Sequence, residues 1–337
     1  MTEELEVPTR ERDAVYFIAP RQVAVRREPL PPLAASEALV ETVVSGISAG
    51  TEMLLYRGEM PPGMAADSAI EALRGELRYP LKYGYAAVGR VAAVGAAVER
   101  AWLGRLVLAF HPHESHFAAR PDQWMALPEG ISAESATLLP NLETAVSLVM
   151  DGRPVIGERV AVLGQGVVGL LVTWLLGQFP LAELVTVDKW EKRRKISAEF
   201  GATLTLSPDD PLPTAFDLVY ELSGQPAALN QAIALTGYAG RIVIGSWYGR
   251  KQAPLDLGSH FHRSHIQLIS SQVSSLAPIW RGRWDHARRL DVAWRSLRRL
   301  PADRLITHRF PLAQAAQAYR RLDRQPHTLL HTLLTYD

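Results

Sequence analysis

Arg159-Val-Ala-Val-Leu-Gly-Gln-Gly-Val-Val-Gly-Leu-Leu171 is the stretch on which the fold reading turns. Val160, Val162 and Leu163 read as a strand buried on both faces, and Gly164, Gly166 and Gly169 then follow in the spacing G-x-G-x-x-G. In a strand-to-helix junction the first glycine permits a tight turn. The second lets a ligand approach the backbone without a Cβ in the way, and the third lets the helix lie close on the strand. The N–H groups of Val167 and Val168 at the helix start would then face a diphosphate.

Glycine-rich turns also occur where a helix merely packs tightly, so the flanking pattern has to decide. Val168 to Leu176 reads as a helix ending at Gly177. Pro180 interrupts the chain, and Leu184 to Val187 is a second short apolar strand ending in Asp188. That acid stands 24 residues after Gly164, near the ~20 expected for a carboxylate that hydrogen-bonds the adenosine ribose. It favours NAD, because it would repel the extra phosphate of NADP. Lys189, Lys192, Arg193 and Arg194 follow and read best as the solvated face of the next helix. Lys189, nearest the acid, is kept among the cofactor residues, and NADP is kept as the alternative.

A chain of 337 residues with 47% hydrophobic and 21% charged content suffices for two domains with substantial cores. A formal net charge of +1 gives no global field for nucleic acid or an anionic membrane. No apolar run approaches the ~18 residues of a membrane span, and the acidic start Met-Thr-Glu-Glu-Leu-Glu lacks signal-peptide features. A cytoplasmic protein is expected. The chain has no cysteine, which excludes disulfides, thiolate zinc sites and a cysteine nucleophile. Residues 281 to 324 carry twelve arginines and no glutamate. Without a recognition motif or stacking platform this reads as solvated helix faces, not a nucleic-acid surface.

Before the glycine motif the chain is β-rich. Ala14 to Ile18, Gln22 to Arg26, Ala38 to Val44, Tyr83 to Val91, Leu106 to Phe110 and Gln123 to Leu127 read as strands, with a helix expected over Asp67 to Leu73. From Glu134 helical patterning begins. Beyond Asp188, helices at Lys192 to Phe200 and Ala227 to Leu235 alternate with strands at Asp217 to Leu222, Arg241 to Gly245 and Ile266 to Ile269. That alternation implies right-handed βαβ units and a parallel sheet. Trp284 to Leu300 reads as an amphipathic helix.

Four landmarks then carry a family resemblance: Ser45-Gly-Ile-Ser-Ala-Gly-Thr-Glu52, Gly84-Tyr-Ala-Ala-Val-Gly-Arg-Val91, Gly164 to Gly169, and Leu305-Ile-Thr-His-Arg-Phe-Pro-Leu312 with Ala315 and Tyr319 after it. The chain resembles the medium-chain dehydrogenase/reductase superfamily of zinc alcohol dehydrogenases and zinc-free quinone reductases. Pro140 to Ala145 and His262 to Gln272 are most similar to its bacteriochlorophyllide-dehydrogenase-like branch. The resemblance implies an α/β protein with a GroES-like β-rich catalytic domain at 1–141, a Rossmann doubly wound parallel sheet at 142–272, and a C-terminal return at 273–337. It also implies a homodimer through the edge strand near Ile266, and a nicotinamide contact from Thr144.

The departures from the family pattern are chemical. The three positions that hold catalytic zinc in the resembling enzymes are Ser48, Tyr85 and Pro140, and the four-cysteine structural zinc lobe is absent. Hydroxyls and a proline do not hold Zn²⁺ as thiolate and imidazole do, so no zinc is expected. Ser48 and Tyr85 should turn their hydroxyls into the vacated site, and Glu52 is a candidate proton relay. His111 falls where the resemblance places a substrate-pocket side chain, able to donate to a carbonyl and titrate near neutral pH. The repeated spacing His111-x-His113-x-x-His116 and His260-x-His262-x-x-His265 invites a metal, but Pro112 breaks the first strand and no acid flanks the second cluster. The expected function is zinc-independent hydride transfer between NAD(H) and an alcohol/ketone pair. The alternatives are an enone or quinone reductase, and a nucleotide-binding relative without turnover.

Overall fold

The computed structural model describes residues 11–61, 63–65 and 70–336. The expected absence of a signal at Met1–Glu6 lies outside them, as do residues 67–69 of the helix expected at Asp67–Leu73. Glu71–Leu73 is a single 3₁₀ turn. The chain divides into two compact units, one comprising Met1–Pro140 and Leu297–Asp337, the other Asn141–Ser296.

The first unit opens with β1 (Glu11–Ala19), β2 (Gln22–Pro29), β3 (Ala38–Ile47), helix α1 (Ala49–Arg57), β4 (Leu81–Lys82), β5 (Ala87–Val94), β6 (Leu106–Ala109), β7 (His116–Ala119), β8 (Trp124–Ala126) and α2 (Ala133–Ala136). β1 pairs antiparallel with β2 and β4. β3 alternates buried and exposed residues over part of its length and pairs with both β5 and β7. α1 was not expected from sequence. Its residues Glu52 to Tyr56 are all buried, so it lacks the polar face by which an amphipathic helix is recognised.

The second unit holds α3 (Leu139–Gly152, which begins just before the boundary), β9 (Arg159–Leu163), α4 (Val167–Leu176), β10 (Glu183–Val187), α5 (Glu191–Glu199), β11 (Leu204–Leu206), β12 (Phe216–Glu221), α6 (Ala228–Leu235), β13 (Thr236–Ile244), β14 (Gln267–Ser270) and α7 (His286–Leu297). Its six strands run in the order β11-β10-β9-β12-β13-β14, all parallel. Ala161, Leu163, Val185, Val219 and Ile242 form its core. This is the expected doubly wound sheet, with β14 at one edge.

β15 (Ile306–Pro311), α8 (Ala315–Arg324) and β16 (His331–Thr335) complete the first unit, β16 pairing with β3. The return begins at Leu297 and not at the expected residue 273. The reason is local: Ser271 Oγ and Trp280 Nε1 both donate to the Asp151 carboxylate, at 2.6 and 3.0 Å, and Arg289 pairs with Glu143 at 2.8 Å. These contacts hold residues 271–296 to α3. No helix among the described residues is long and apolar enough to cross a membrane.

Candidate active site

In the second unit the glycine motif sits at the carboxyl end of β9. Gly164 has φ +91°, and a Cβ there would lie 2.6 Å from Ser223 Cα and N, so only glycine makes this turn. A Cβ on Gly169 would collide with the carbonyl oxygen of Gly164, whereas one on Gly166 would meet nothing within 4 Å. Two of the glycines are therefore required by the protein itself. Gly166, at the N-cap of α4, faces open space, which is what close approach of a diphosphate requires. Val167 and Val168 form the first turn of α4 and are half-buried.

Asp188 is buried at the end of β10 and braces this turn: Oδ2 accepts the Gln165 N–H at 2.7 Å and Oδ1 the Trp190 N–H at 2.8 Å. The Arg193 guanidinium stands 3.9 Å from Oδ2. A carboxylate oxygen has two lone pairs, so these bonds leave acceptor capacity for a ribose. Lys189 is exposed, its ammonium 4.7 Å from the centroid of the Trp190 ring. Thr144 lies half-buried on α3. These residues fit a dinucleotide.

In the first unit Ser48 caps α1, and the Tyr85 hydroxyl donates to Ser48 Oγ at 2.5 Å. Tyr85 precedes β5, one residue after Gly84, whose φ is +124° and whose Cβ would lie 2.7 Å from the His113 ring. Glu52, one helical turn after Ser48, is wholly buried. Its Oε1 accepts the Ser48 N–H at 2.7 Å, while Oε2 accepts the Tyr319 hydroxyl at 2.5 Å and lies 3.1 Å from His113 Nε2. His113 Nδ1 is 2.7 Å from Ser45 Oγ, which is 2.8 Å from the Tyr336 hydroxyl. Burial, then the charge of Glu52, pushes the Tyr319 hydroxyl pKa well up, so it keeps its proton. Ser48, Tyr85 and Glu52 are thus brought together, and His113, Tyr319, Ser45 and Tyr336 join them. A signal for Tyr319 existed: Ala315, Ala318, Tyr319 and Leu322 are buried at helical spacing on α8, and a buried tyrosine hydroxyl needs a partner.

His111 requires a correction. It stacks on Phe117 with centroids 4.1 Å apart, and its Nδ1, 3.7 Å from Glu114, makes no hydrogen bond. Burial pushes its pKa down to about 3, so it does not titrate near neutrality. Beyond Pro112 the chain turns His113 inward, and His116 lies 3.1 Å from Ser115 Oγ. In the second cluster His260 bonds the Thr236 carbonyl at 2.8 Å and His265 packs edge-on against Tyr238. The rings of His111, His113, His116, His260 and His265 therefore serve separate partners.

Comparison with known proteins shows the family. The family model described as glucose dehydrogenase C-terminus matches residues 142–331. The starvation-sensing protein RspB of Escherichia coli (strain K12) is 22% identical over 96% of this chain and 99% of its own length. Sorbitol dehydrogenase of Bacillus subtilis (strain 168) is 22% identical over 70% of this chain and 75% of its own. Among solved structures, 2R,3R-butanediol dehydrogenase from Bacillus subtilis superposes with a TM-score of 0.79 at 18% identity, covering 97% of this chain and 100% of that one. RspB from E. coli CFT073, complexed with NADH, gives 0.77 at 19% identity with the same coverage. The chain therefore belongs to the glucose dehydrogenase C-terminus family, within the zinc-type alcohol-dehydrogenase-like medium-chain dehydrogenase/reductase superfamily.

Proposed function

We propose that this protein is a zinc-independent oxidoreductase that exchanges hydride between NAD(H) and an alcohol/ketone pair. The observation that carries the reading is the 2.5 Å hydrogen bond between Tyr85 and Ser48, at two of the three positions where the resembling enzymes hold zinc. With Pro140 at the third, the donor set is two hydroxyls bonded to each other and a proline, which does not fit Zn²⁺. Relatives bearing the names sorbitol dehydrogenase and 2R,3R-butanediol dehydrogenase put hydroxyl-bearing substrates first. Neighbouring structures carrying NADH and NADP support a nicotinamide cofactor.

When bound, the nicotinamide supplies or accepts the hydride. Gly164, Gly166, Gly169 and the N–H groups of Val167 and Val168 would hold its diphosphate, Asp188 and Lys189 its adenosine end, and Thr144 its nicotinamide end. The Tyr85–Ser48 pair would hydrogen-bond the substrate oxygen and give or take its proton, the role that the metal otherwise fills by polarising the oxygen. Glu52 braces this pair by holding the Ser48 N–H.

A screen of NADH and NADPH oxidation against ketones, enones and quinones, with and without exhaustive chelation, tests the reading. Ketone reduction that survives chelation is expected. Turnover only of enones or quinones would replace the substrate class, and turnover of nothing would leave a nucleotide-binding relative. A homodimer through β14 and a cytoplasmic location belong to the same proposal. Light scattering of the purified chain tests the dimer.

A further inference from the structure

Glu221 is the last residue of β12 and stands in register with Leu163, the residue before Gly164. The strand order reverses at this pair, β9 leading to β10 on one side and to β12 on the other. Such a reversal opens the crevice in which open parallel sheets bind their ligands. At this point the protein buries a carboxylate completely.

The surroundings of that carboxylate are uniform in kind. Oε1 accepts the Ser223 N–H at 2.8 Å and the Ser223 hydroxyl, and Oε2 accepts the Tyr248 hydroxyl at 2.5 Å. Ser223 Oγ itself accepts the Gln225 N–H at 3.1 Å, which leaves its proton for Glu221. Burial, then the charge of Glu221, pushes the Tyr248 hydroxyl pKa up, so that proton also stays in the bond. Three donors aim at two oxygens, an inventory that fits the ionised carboxylate, which only accepts. None of the three is a cation, and among the described residues no lysine or arginine pairs with Glu221. Lys251, the basic residue closest in the chain to Tyr248 after Arg250, gives its ammonium to the Gly224 carbonyl at 3.0 Å. Gly224 N–H in turn donates to Ser246 Oγ at 2.8 Å, so the segment after β13 clasps the turn after β12. A buried charge without a counter-ion is costly, and a cationic ligand in the crevice would relieve it.

We propose that Glu221 is a specificity-determining residue for the redox form of the cofactor. Its buried negative charge favours NAD⁺, whose nicotinamide ring is a cation, over NADH, whose ring is neutral. This rests on the nicotinamide reading given above. Ser223 and Tyr248 are positioning residues that hold the charge in place.

Calorimetric titration of the full chain with NAD⁺ and with NADH tests the proposal without any turnover. Glu221→Gln should weaken NAD⁺ relative to NADH on the order of tenfold, the scale of one unit charge acting through a protein of effective dielectric about 20. Tyr248→Phe keeps the charge and should hold the ratio. Tyr248→Lys sets an ammonium beside the carboxylate and should shift the ratio in the same direction as Glu221→Gln, so it decides the matter where the glutamine variant does not fold. Binding of both forms with an unchanged ratio in either folded charge variant overturns the proposal alone. A wild-type chain that binds neither form overturns the nicotinamide reading and this proposal with it.

Discussion

The Tyr319 hydroxyl of α8 donates to the Glu52 carboxylate of α1 at 2.5 Å, joining residues 267 positions apart inside the first unit. Both side chains are wholly buried. Removing the donor leaves the carboxylate short of one partner, so Tyr319→Phe should cost about 1–3 kcal/mol of stability. Glu52→Ala, which strands the Ser48 N–H, the Tyr319 hydroxyl and His113 together, should cost more. Thermal melts would read this order, and a melting temperature unmoved by both variants would return the cluster to ordinary packing.

The glycine motif separates protein needs from ligand needs. Gly169→Ala drives a Cβ into the Gly164 carbonyl and should lower the melting temperature. Gly166→Ala meets no protein atom within 4 Å, so the fold should survive while NADH affinity falls. Equal NADH affinity in wild type and a folded Gly166→Ala would argue that nothing approaches that backbone.

Asp188 links the turn to cofactor choice. Asp188→Ala should weaken NADH binding by about 1–3 kcal/mol, the range for a hydrogen bond to a charged group, and relax discrimination against NADPH. Part of that loss will come from the Gln165 and Trp190 N–H groups that the carboxylate now holds. Tighter wild-type binding of NADPH than NADH in a fluorescence titration would sink the NAD preference.

Tyr85→Phe should keep the fold and the cofactor affinity yet lower turnover by ~10²–10³, the scale of one oxyanion donor. Activity should also persist after exhaustive chelation, with well under one zinc per chain by metal analysis. Loss of activity on chelation with recovery on adding Zn²⁺ would reopen the metal question, beginning at His111 and His113.

His111 makes a prediction about acid. Burial holds its pKa at about 3 when folded, against roughly 6.5 for an unfolded imidazole. Below pH ~6.5 the unfolded chain therefore binds a proton that the folded chain refuses. The stability is fully present above that pH and is lost progressively as pH falls toward the folded value. His331, held at about 4 chiefly by burial, acts with the same sign. His111→Phe should flatten the fall of melting temperature between about pH 6.5 and 4, and a slope equal to wild type would count against this account.

Much of the second unit was legible in one sequence, because its signals are local. The apolar run at Val160 to Leu163, the glycine spacing, and the acid at the end of the next strand each lie within a few residues of the structure they specify, and the parallel sheet follows from their alternation. Ser48, Tyr85 and Pro140 were legible as departures from a metal-binding pattern, and Glu52 as a carboxylate where the resemblance places one. The rest was decided by packing. α1 is buried nearly all round and gave no periodic signal, and β16 finds β3 across almost the whole chain. His111 and His113 are two residues apart, yet one ring stacks on Phe117 and the other meets Glu52. Residue types and short spacings carry local backbone geometry. Which donor meets which buried carboxylate, Tyr319 and His113 at Glu52 or Ser223 and Tyr248 at Glu221, is set by the cost of leaving a buried carboxylate without donors, and those donors arrive only after distant segments have packed.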